Sequence, residues 1–240
     1  MNLSLVSINI VVRFKMRLLD RVQRSLYKFD IIKPPSWDQF LKNKKRSLYA
    51  GSLTKEHKKQ GYYGITPFER KKQHLYHNII NKMPIPDDSI DVFQSEDVFE
   101  HIEFNKLETI FKEIYRVLKP GAIFRLSLPD YSFDHYAARS HRDKNGEIIY
   151  DPLGGGEYID GKVCNGGHVW FPKKETVEIL FKNSPFEDDK VKYLHYYDAN
   201  NKSITNKIDY SLGMVYRTPD HDERAKTPYR AMSIVVDAYK

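Results

Sequence analysis

The feature that most constrains this sequence is a strand, a helix and a second strand that follow one another between residues 90 and 130. Ile90, Val92 and Phe93 form a short apolar run between acidic residues, which is typical of a buried strand. Residues 122–128 form a second apolar run. Between the two runs, apolar residues recur at helical spacing: Leu107, Ile110, Phe111, Ile114, Tyr115 and Leu118. This order predicts a right-handed parallel crossover unit and therefore an α/β fold.

Both ends of the predicted helix carry local signals. Asn105 and Glu108 have the spacing of a capping box, which predicts the N-terminus. Lys119-Pro120-Gly121 is typical of a helix stop, because a cation lies near the last turn and a glycine follows it. The second strand is therefore expected to begin after Gly121.

Weaker patterns predict the rest of the fold. Short apolar runs indicate strands near residues 47–52, 61–67, 191–197 and 233–239, and helical spacing indicates a helix at 172–183. The segment 131–170 has no clear period and is rich in Tyr, His, Asp and Gly. A long irregular segment inside a compact domain is usually functional, so we expect a substrate loop or lid there.

Length and hydropathy limit the class of protein. A chain of 240 residues can form one α/β domain of ordinary size. We expect a helical arm over residues 1–45 and a single domain over residues 46–240. The apolar run Leu3 to Val12 is interrupted by Ser and Asn and is shorter than the ~20 residues that a membrane helix needs, so no transmembrane segment is predicted.

Charge and cysteine content bear on partners and compartment. The net charge is +7, but the basic residues are scattered and lie in no recognised nucleic-acid-binding motif. A solvated basic surface is therefore favoured over a nucleic-acid partner, although the same charges would attract an acidic small molecule. Cys164 is the single cysteine, which is typical of a reducing compartment and predicts a cytoplasmic protein.

Two stretches resemble a known family, the class I S-adenosylmethionine-dependent methyltransferases. "MPIPDDSIDVFQSEDVFEHI" (83–102) resembles that family's "lPfPdnsFDvv.s.hvLEHi" segment, which covers its fourth strand. "EIYRVLKPGAIFRLSLPD" (113–130) resembles the "E..RVLKPGG.l.isvPd" segment, which covers its fifth strand. Weaker similarity extends the resemblance to about residues 46–240. It implies a doubly wound, mostly parallel Rossmann-like sheet with an antiparallel last strand.

The resemblance also implies a donor site at the carboxyl ends of the strands, where open parallel sheets bind ligands. S-adenosylmethionine is the implied cofactor. Gly51, in the turn after the first strand, is implied to approach it, and Asn78 falls near the adenine position. Glu96 and Asp97, at the end of the fourth strand, are implied to line the same site. Asp130 and Tyr131, after the fifth strand, are expected to face the acceptor together with the 131–170 loop.

Two histidines are candidate catalytic residues. Glu100-His101 resembles a pair that in this family lies at the start of the helix after the fourth strand, and histidine suits proton transfer near neutral pH. His168 follows Gly166-Gly167, which allows a sharp bend that could project its ring into a cleft. The alternatives are a half-exposed helix-start pair and a hydrogen-bonded turn histidine. The histidines show no HExxH or paired-cysteine pattern, so no metal site is predicted.

The leading hypothesis is an enzyme that transfers a methyl group from S-adenosylmethionine to an oxygen or nitrogen of a small acceptor, with a sugar or nucleotide-sugar suggested by the resemblance alone. The turn Ala50-Gly51-Ser52-Leu53 has one glycine where the family usually has three. This departure keeps open a second hypothesis, a non-catalytic binding or scaffold protein that has the fold and has lost the donor site. The sequence gives no indication of the oligomeric state.

Overall fold

The structure is a computed structural model that describes residues 33–68 and 72–240. Its helices are α1 (Trp37–Leu41), α2 (Lys55–Lys59), α3 (Phe104–Val117), α4 (Asp134–Arg139) and α5 (Lys174–Lys182). Its strands are β1 (Ser47–Ala50), β2 (Tyr62–Thr66), β3 (His74–Tyr76), β4 (Ile90–Glu96), β5 (Leu118–Pro129), β6 (His141–Arg142), β7 (Ile148–Tyr150), β8 (Glu157–Ile159), β9 (Lys162–Cys164), β10 (Val191–Tyr197), β11 (Ser203–Thr205) and β12 (Ser233–Tyr239). Short 3₁₀ turns cover Phe99–His101, Asp188–Lys190, Tyr210–Leu212 and Glu223–Ala225.

Eight of these strands form one sheet in the order β11-β10-β12-β5-β4-β1-β2-β3. The five strands from β5 to β3 are mutually parallel, whereas β12 pairs antiparallel with both β5 and β10. The strand order reverses between β1 and β4, which is the position where open α/β sheets form their ligand crevice. The predicted fold class, a mostly parallel sheet with an antiparallel last strand, is confirmed.

Long helices cover one face of the sheet. The apolar residues of α3 recur at helical spacing, so Ile110, Phe111 and Ile114 all point into the core. Phe111 packs edge-on against Phe124 of β5, with ring centroids 5.3 Å apart, and against Phe181 of α5, at 5.1 Å. Alternate residues of the buried strands complete this layer, as expected for a parallel sheet buried on both faces.

The opposite face is covered differently. Helix α2 has five residues, and the extended segment 206–218, between β11 and β12, lies beside it. Ile208 and Val215 of this segment pack on Val235 of β12. Gln94 of β4 donates from Nε2 to the Met214 carbonyl at 2.6 Å. On this face an irregular segment therefore packs against the sheet, whereas long helices pack against the first face.

A buried ion pair fixes that segment to the sheet. Arg125 of β5 is fully buried and donates from Nε and Nη2 to the two carboxylate oxygens of Asp237 on β12, each at 2.7 Å. Its Nη1 donates to the carbonyls of Asp209 and Gly213 at 2.8 and 2.7 Å. Four charge-assisted hydrogen bonds from one guanidinium thus join two strands and the 206–218 segment.

Several local predictions were wrong. The capping box is absent: Glu103 occupies the N-cap position without a side-chain hydrogen bond, and Asn105 already lies inside α3. Strand β5 begins at Leu118 rather than after Gly121, because Leu118 pairs with Ile90 of β4.

The segment 131–170 is also more regular than expected. It contains helix α4 and two hairpins, β6-β7 and β8-β9, since short pairings of two or three residues leave no sequence period.

The predicted N-terminal arm lies mostly outside the described residues. Its described end contains α1, whose N-cap Ser36 and N3 residue Gln39 form a reciprocal capping box. Phe40 of α1 is fully buried and packs against Tyr63 with ring centroids 5.1 Å apart. The described part of the chain contains no helix with the length and apolar character that crossing a membrane requires.

We expect Asp237→Ala to lower the free energy of unfolding by about 3–5 kcal/mol, because it leaves the buried Arg125 guanidinium without its carboxylate. Urea denaturation followed by circular dichroism measures the change. Glu108→Ala, which breaks the solvent-exposed Glu108–Lys112 pair, should cost less than about 0.5 kcal/mol. Equal losses in the two variants would contradict the role given to Arg125.

Candidate functional site

Two cavities lie at the carboxyl ends of the parallel strands. The larger, of about 510 Å³, is bordered by the turn after β1, the end of β2 and the start of the chain after β4; its lining includes Gly51, Thr66, Asn78, Asp97, Val98 and His101. The smaller, of about 240 Å³, lies beyond the end of β5; its lining includes Asp97, Tyr136, Arg139, His168, Arg217 and Arg224. Asp97 borders both, so the cavities meet at this residue.

Asp97 is held in place by the pairing of β4 with β5. Its backbone N–H donates to the Ser127 carbonyl at 3.1 Å, and its φ of 52° turns the chain away from the sheet. One carboxylate oxygen forms an ion pair with Nε of Arg217, and the other, Oδ1, is buried without a hydrogen-bond partner. Burial raises the pKa of Asp97, and the positive charge of Arg217 partly offsets that effect.

The turn after β1 is built around one glycine and one histidine. Gly51 has φ of +111°, and a Cβ there would lie 3.2 Å from Val98 Cγ2, so the position favours glycine. The Leu53 N–H donates to Nε2 of His74, on β3, at 3.2 Å. Gly64 makes room for that ring, since a Cβ there would lie 2.5 Å from His74 Cδ2. A side chain from β3 therefore holds a turn that has a single glycine.

His101 and His168 lie against each other, with ring centroids 4.7 Å apart. Nδ1 of His101 lies 2.8 Å from the Gly166 carbonyl, which can only accept, so this nitrogen carries the proton. Nε2 of His101 lies 3.8 Å from Oε1 of Glu100, and Nε2 of His168 lies 3.5 Å from the same oxygen. The structure thus brings together two histidines that are 67 positions apart in the sequence.

The tautomer of His168 follows from its neighbours. The Tyr131 hydroxyl donates to Oδ2 of Asp151 at 2.7 Å, so it accepts from Nδ1 of His168 at 2.6 Å. Arg139 binds the same carboxylate oxygen at 2.5 Å. Burial lowers the pKa of His168 to about 3, so its ring is neutral at ordinary pH and its Nε2 has a free lone pair.

The pKa shifts of the two neighbours agree with this direction of donation. Burial and the Asp151 carboxylate raise the pKa of the Tyr131 hydroxyl, which keeps it protonated. Burial alone would raise the pKa of Asp151, but its hydrogen bonds from Arg139 and Tyr131 outweigh burial and lower it.

Two predicted site residues do not reach either cavity. Oε1 of Glu96 accepts from the backbone N–H groups of Tyr216 and Arg217, both at 2.8 Å, because Glu96 and Gln94 share the strand face that carries the 206–218 segment. Asp130 is fully buried and accepts from the N–H groups of Ser132 and Tyr197, at 2.9 and 3.1 Å. Both acids fasten the chain rather than line the cavities, so their predicted ligand contacts are corrected.

The remaining candidates lie at the two cavities or directly behind a residue that lines one. Gly51, Asn78, Asp97 and His101 line the larger cavity, and His168 lines the smaller one. Tyr131 is almost fully buried and acts on the smaller cavity through its hydrogen bond to His168.

Sequence reasoning missed the three arginines of the smaller cavity. Each has an acidic partner: Arg139 pairs with Asp151, Arg217 with Asp97, and Arg224 with Asp222. The carboxylates fix the guanidinium planes, and each arginine has further N–H groups for a ligand. Arg217 and Arg224 come from the polar stretch before β12, which has no period, so only their charge could have signalled them.

Comparison with known proteins gives a family match and several similar folds. Residues 66–126 match the family model described as methyltransferase domain. A search of curated proteins found no significant match.

Similar solved structures include a SAM-dependent methyltransferase from Archaeoglobus fulgidus, with 15% identity, 92% of this chain and 94% of that chain covered, and a TM-score of 0.49. Another is a possible histamine N-methyltransferase from Thermotoga maritima, with 17% identity, 84% and 86% covered, and a TM-score of 0.49. A third is the 1,6-didemethyltoxoflavin-N1-methyltransferase of Burkholderia thailandensis, with 11% identity, 92% and 77% covered, and a TM-score of 0.47.

The sheet topology and the matched segment agree on the fold class. The order of the strands, with β12 antiparallel between β5 and β10, is that of class I methyltransferases. The matched segment runs from the end of β2 through β4 and α3 into β5, the part of the fold that carries the crevice. The fold is therefore that of the class I methyltransferases, and residues 66–126 match a methyltransferase-domain model, as the sequence resemblance predicted.

We expect Glu96→Gln to remove a pH dependence of stability. Burial raises the pKa of Glu96 from 4.5 to about 7, and Asp97 adds to that effect. Between these values the folded state binds more protons than the unfolded state, so stability falls as pH rises, by about 3 kcal/mol in total. Glutamine keeps the acceptor oxygen for Tyr216 and Arg217 and has no charge to desolvate.

Urea denaturation at pH 5 and pH 8 measures this effect. The variant should be more stable than the unmodified protein at pH 8 and similar at pH 5. Glu103→Gln, which makes the same charge change on a largely exposed side chain, serves as the control and should leave the pH profile unchanged. A Glu96→Gln variant that loses stability equally at both pH values would contradict this interpretation.

Proposed function

We propose that the protein transfers the methyl group of S-adenosylmethionine to an oxygen or nitrogen of a small anionic acceptor. The observation that carries the proposal is the meeting of two cavities at Asp97, with the imidazoles of His101 and His168 beside it. One cavity supports donor binding, the other supports acceptor binding, and a methyl group has to travel only the short distance between them.

The larger cavity fits the donor. Its volume of about 510 Å³ lies within the roughly 300–1,000 Å³ of small-ligand sites. Gly51 allows the backbone to approach a ligand closely, Asn78 offers an amide beside the apolar Ile79 and Ile80, and Asp97 has a buried oxygen without a partner. These residues would hold the donor. When bound, it supplies a methyl group activated by attachment to a positively charged sulfur.

The smaller cavity favours an acceptor that carries a phosphate or carboxylate. Three guanidinium groups border about 240 Å³, and their planar forks match the oxygens of such anions. A sugar phosphate or nucleotide-sugar has both a hydroxyl to methylate and an anionic group to anchor. The sequence resemblance suggested a sugar or nucleotide-sugar acceptor. The three arginines favour an acceptor of this class that carries a phosphate group.

The segment 131–170 contributes much of this acceptor site. Tyr136 and Arg139 of α4, Leu153 and His168 all come from it. Covering the strand ends in this way excludes water and fixes the relative orientation of two ligands, which is the largest effect available to a displacement reaction. The Nε2 atoms of His101 and His168 can accept a hydrogen bond from the acceptor hydroxyl or amine and direct its lone pair toward the donor.

A non-catalytic binding protein is the second candidate. The observation that favours it is the turn after β1, where His74 binds the Leu53 N–H and only Gly51 has the left-handed conformation typical of a glycine-rich turn.

We propose a cytoplasmic location for either function, supported by the single cysteine of the sequence.

We expect Gly51→Ala to weaken S-adenosylmethionine binding at least tenfold. The added methyl group would be strained at φ +111° and would press on Val98, which lines the larger cavity. Isothermal calorimetry with S-adenosylmethionine and S-adenosylhomocysteine measures the affinity. Gly146→Ala is the matched control, since it has the same kind of strain, at φ +84°, in an open hairpin turn. If the unmodified protein gives no heat at millimolar ligand, the binding-protein candidate replaces the enzyme.

We expect Arg224→Gln to raise the KM for a phosphorylated acceptor roughly tenfold or more, because a charge-assisted hydrogen bond to the anion is lost. The assay follows transfer of a labelled methyl group from S-adenosylmethionine to sugar phosphates, nucleotide-sugars and neutral sugars. The affinity for S-adenosylmethionine should not change, since Arg224 lines only the smaller of the two cavities.

Arg142→Gln makes the same charge change in the β6-β7 hairpin, where Arg142 bonds to the Gly146 carbonyl, and should have no effect on the KM. A preference for neutral acceptors, or equal effects of the two arginine variants, would contradict an anionic acceptor.

A further inference from the structure

Glu100 is a fully buried carboxylate that lacks conventional partners. Glu100 is 0% exposed, and neither Oε1 nor Oε2 has a hydrogen-bond partner among the described residues. Burying an acidic group without hydrogen bonds is costly, and native structures pair such groups or use them to bind metal ions. The groups that approach its oxygen atoms are the two imidazoles, His101 and His168.

Both imidazoles direct Nε2 toward this carboxyl group. The Nδ1–H of His101 is taken by the Gly166 carbonyl, and the Nδ1–H of His168 is taken by the Tyr131 hydroxyl. Tyr131 in turn donates to Asp151. Histidines that bind metal ions almost always have their other ring N–H fixed in this manner, by a carbonyl or by a chain that ends in a carboxylate.

The positions of both rings are set by the fold. His101 ends the 3₁₀ turn that begins at Phe99. His168 is held on that turn because the Val169 N–H donates to the Glu100 carbonyl and the indole N–H of Trp170 donates to the Phe99 carbonyl, both at 2.9 Å. The cluster is therefore rigid before any ligand binds, which is the property a metal site requires.

We propose that Glu100, His101 and His168 bind one divalent transition-metal ion. A ligand atom from each residue can be chosen so that all three lie within 4.8 Å of one another. The two Nε2 atoms lie 3.5 and 3.8 Å from Oε1 of Glu100. Tetrahedral ligands at the ~2.1 Å bond lengths of zinc are separated by about 3.4 Å, so the two Glu100–imidazole distances are already within a few tenths of an ångström of that value.

The ligand set selects the class of ion. Two imidazoles and one carboxylate suit Zn²⁺, Co²⁺, Mn²⁺ or Fe²⁺, whereas Mg²⁺ and Ca²⁺ prefer oxygen ligands alone. The nearby arginines repel a metal ion less than unpaired cations would, because each has a carboxylate partner. Arg139 is paired with Asp151 and Arg217 with Asp97, so neither guanidinium is paired with Glu100.

The site lies between the two cavities. His101 borders the larger cavity and His168 borders the smaller one. Three protein ligands leave coordination positions open, as in catalytic rather than structural metal sites. An acceptor oxygen or nitrogen could occupy an open position, in which case the ion, and not the imidazoles, would orient it. The metal site itself does not depend on the proposed methyl transfer, because binding of the ion can be measured without donor or acceptor.

Cobalt binding to the full chain tests the proposal. Protein without an affinity tag is stripped with a chelator, dialysed and titrated with Co²⁺ while the visible ligand-field absorption is recorded. We expect saturation at one Co²⁺ per chain and loss of the absorption when Zn²⁺ is added. Glu100→Gln and His101→Ala should each weaken Co²⁺ binding at least tenfold, with unchanged far-ultraviolet circular dichroism. His101 is half exposed, so this variant is expected to fold even if Glu100→Gln does not.

His135→Ala is the matched control, since it removes a largely exposed histidine that lies outside both cavities and should leave Co²⁺ binding unchanged. Absence of stoichiometric binding, or binding that persists at the same strength in both ligand variants, would overturn the proposal. Calorimetry with S-adenosylmethionine on the same samples separates this result from the proposed function. Protein that binds the donor and no metal ion would refute the metal site alone, and protein that binds the metal ion and no donor would refute the methyltransferase proposal alone.

Discussion

The pairing of β4 with β5 is the constraint on which the site depends. Both strands are almost completely buried, and their parallel register continues to Glu96 and Ser127 and is extended by the Asp97 N–H bond to the Ser127 carbonyl. This register places the two strand ends side by side at one edge of the sheet. Everything that borders the cavities, including the 3₁₀ turn with Glu100 and His101, is positioned relative to that edge.

Two segments from the second half of the chain then close the edge. One is the 131–170 insertion, which the Val169 and Trp170 hydrogen bonds fasten to the turn after β4. The other is the 206–218 segment, which Arg125 and Glu96 fasten through its backbone. Both segments are held by buried polar contacts and by apolar packing: Tyr131 and Tyr136 belong to one buried cluster, and Ile208 and Val215 pack on Val235. The acceptor side of the site is therefore fixed by both kinds of contact.

The sequence predicts the sheet well because periodicity reports which residues are buried. β4, α3 and β5 follow directly from apolar spacing, Asp97 could be placed because it comes directly after a strand, and His101 was suggested by the family resemblance. Glu96 and Asp130 were misplaced for a physical reason. Position at a strand end does not fix the direction of a side chain, and both acids find backbone N–H donors nearby that satisfy them internally.

The rest of the site was not predictable from local patterns. His168 joins His101 through hydrogen bonds between segments 67 positions apart, which no spacing rule encodes. Arg217 lies in the 206–218 segment, which the buried Arg125 holds through the Asp209 and Gly213 carbonyls, and Arg224 lies in the polar stretch that follows. Tertiary contacts of this kind carry no periodic signal, so the composition of the site becomes visible only when the chain is folded.

The edge of the sheet concentrates four acids, three of them buried and Asp97 half-buried, and each has a different set of partners. Glu96 and Asp130 receive two backbone N–H groups each, and Asp97 receives the guanidinium of Arg217. Glu100 receives none of these, and the two nearest side chains approach Oε1 with Nε2 atoms at 3.5 and 3.8 Å. A buried carboxylate without hydrogen bonds is costly, and a cation bound between it and the two imidazoles would offset that cost. The arrangement is stable as described only if a proton or a metal ion is shared there, and three converging ligands with fixed outer partners favour the metal ion.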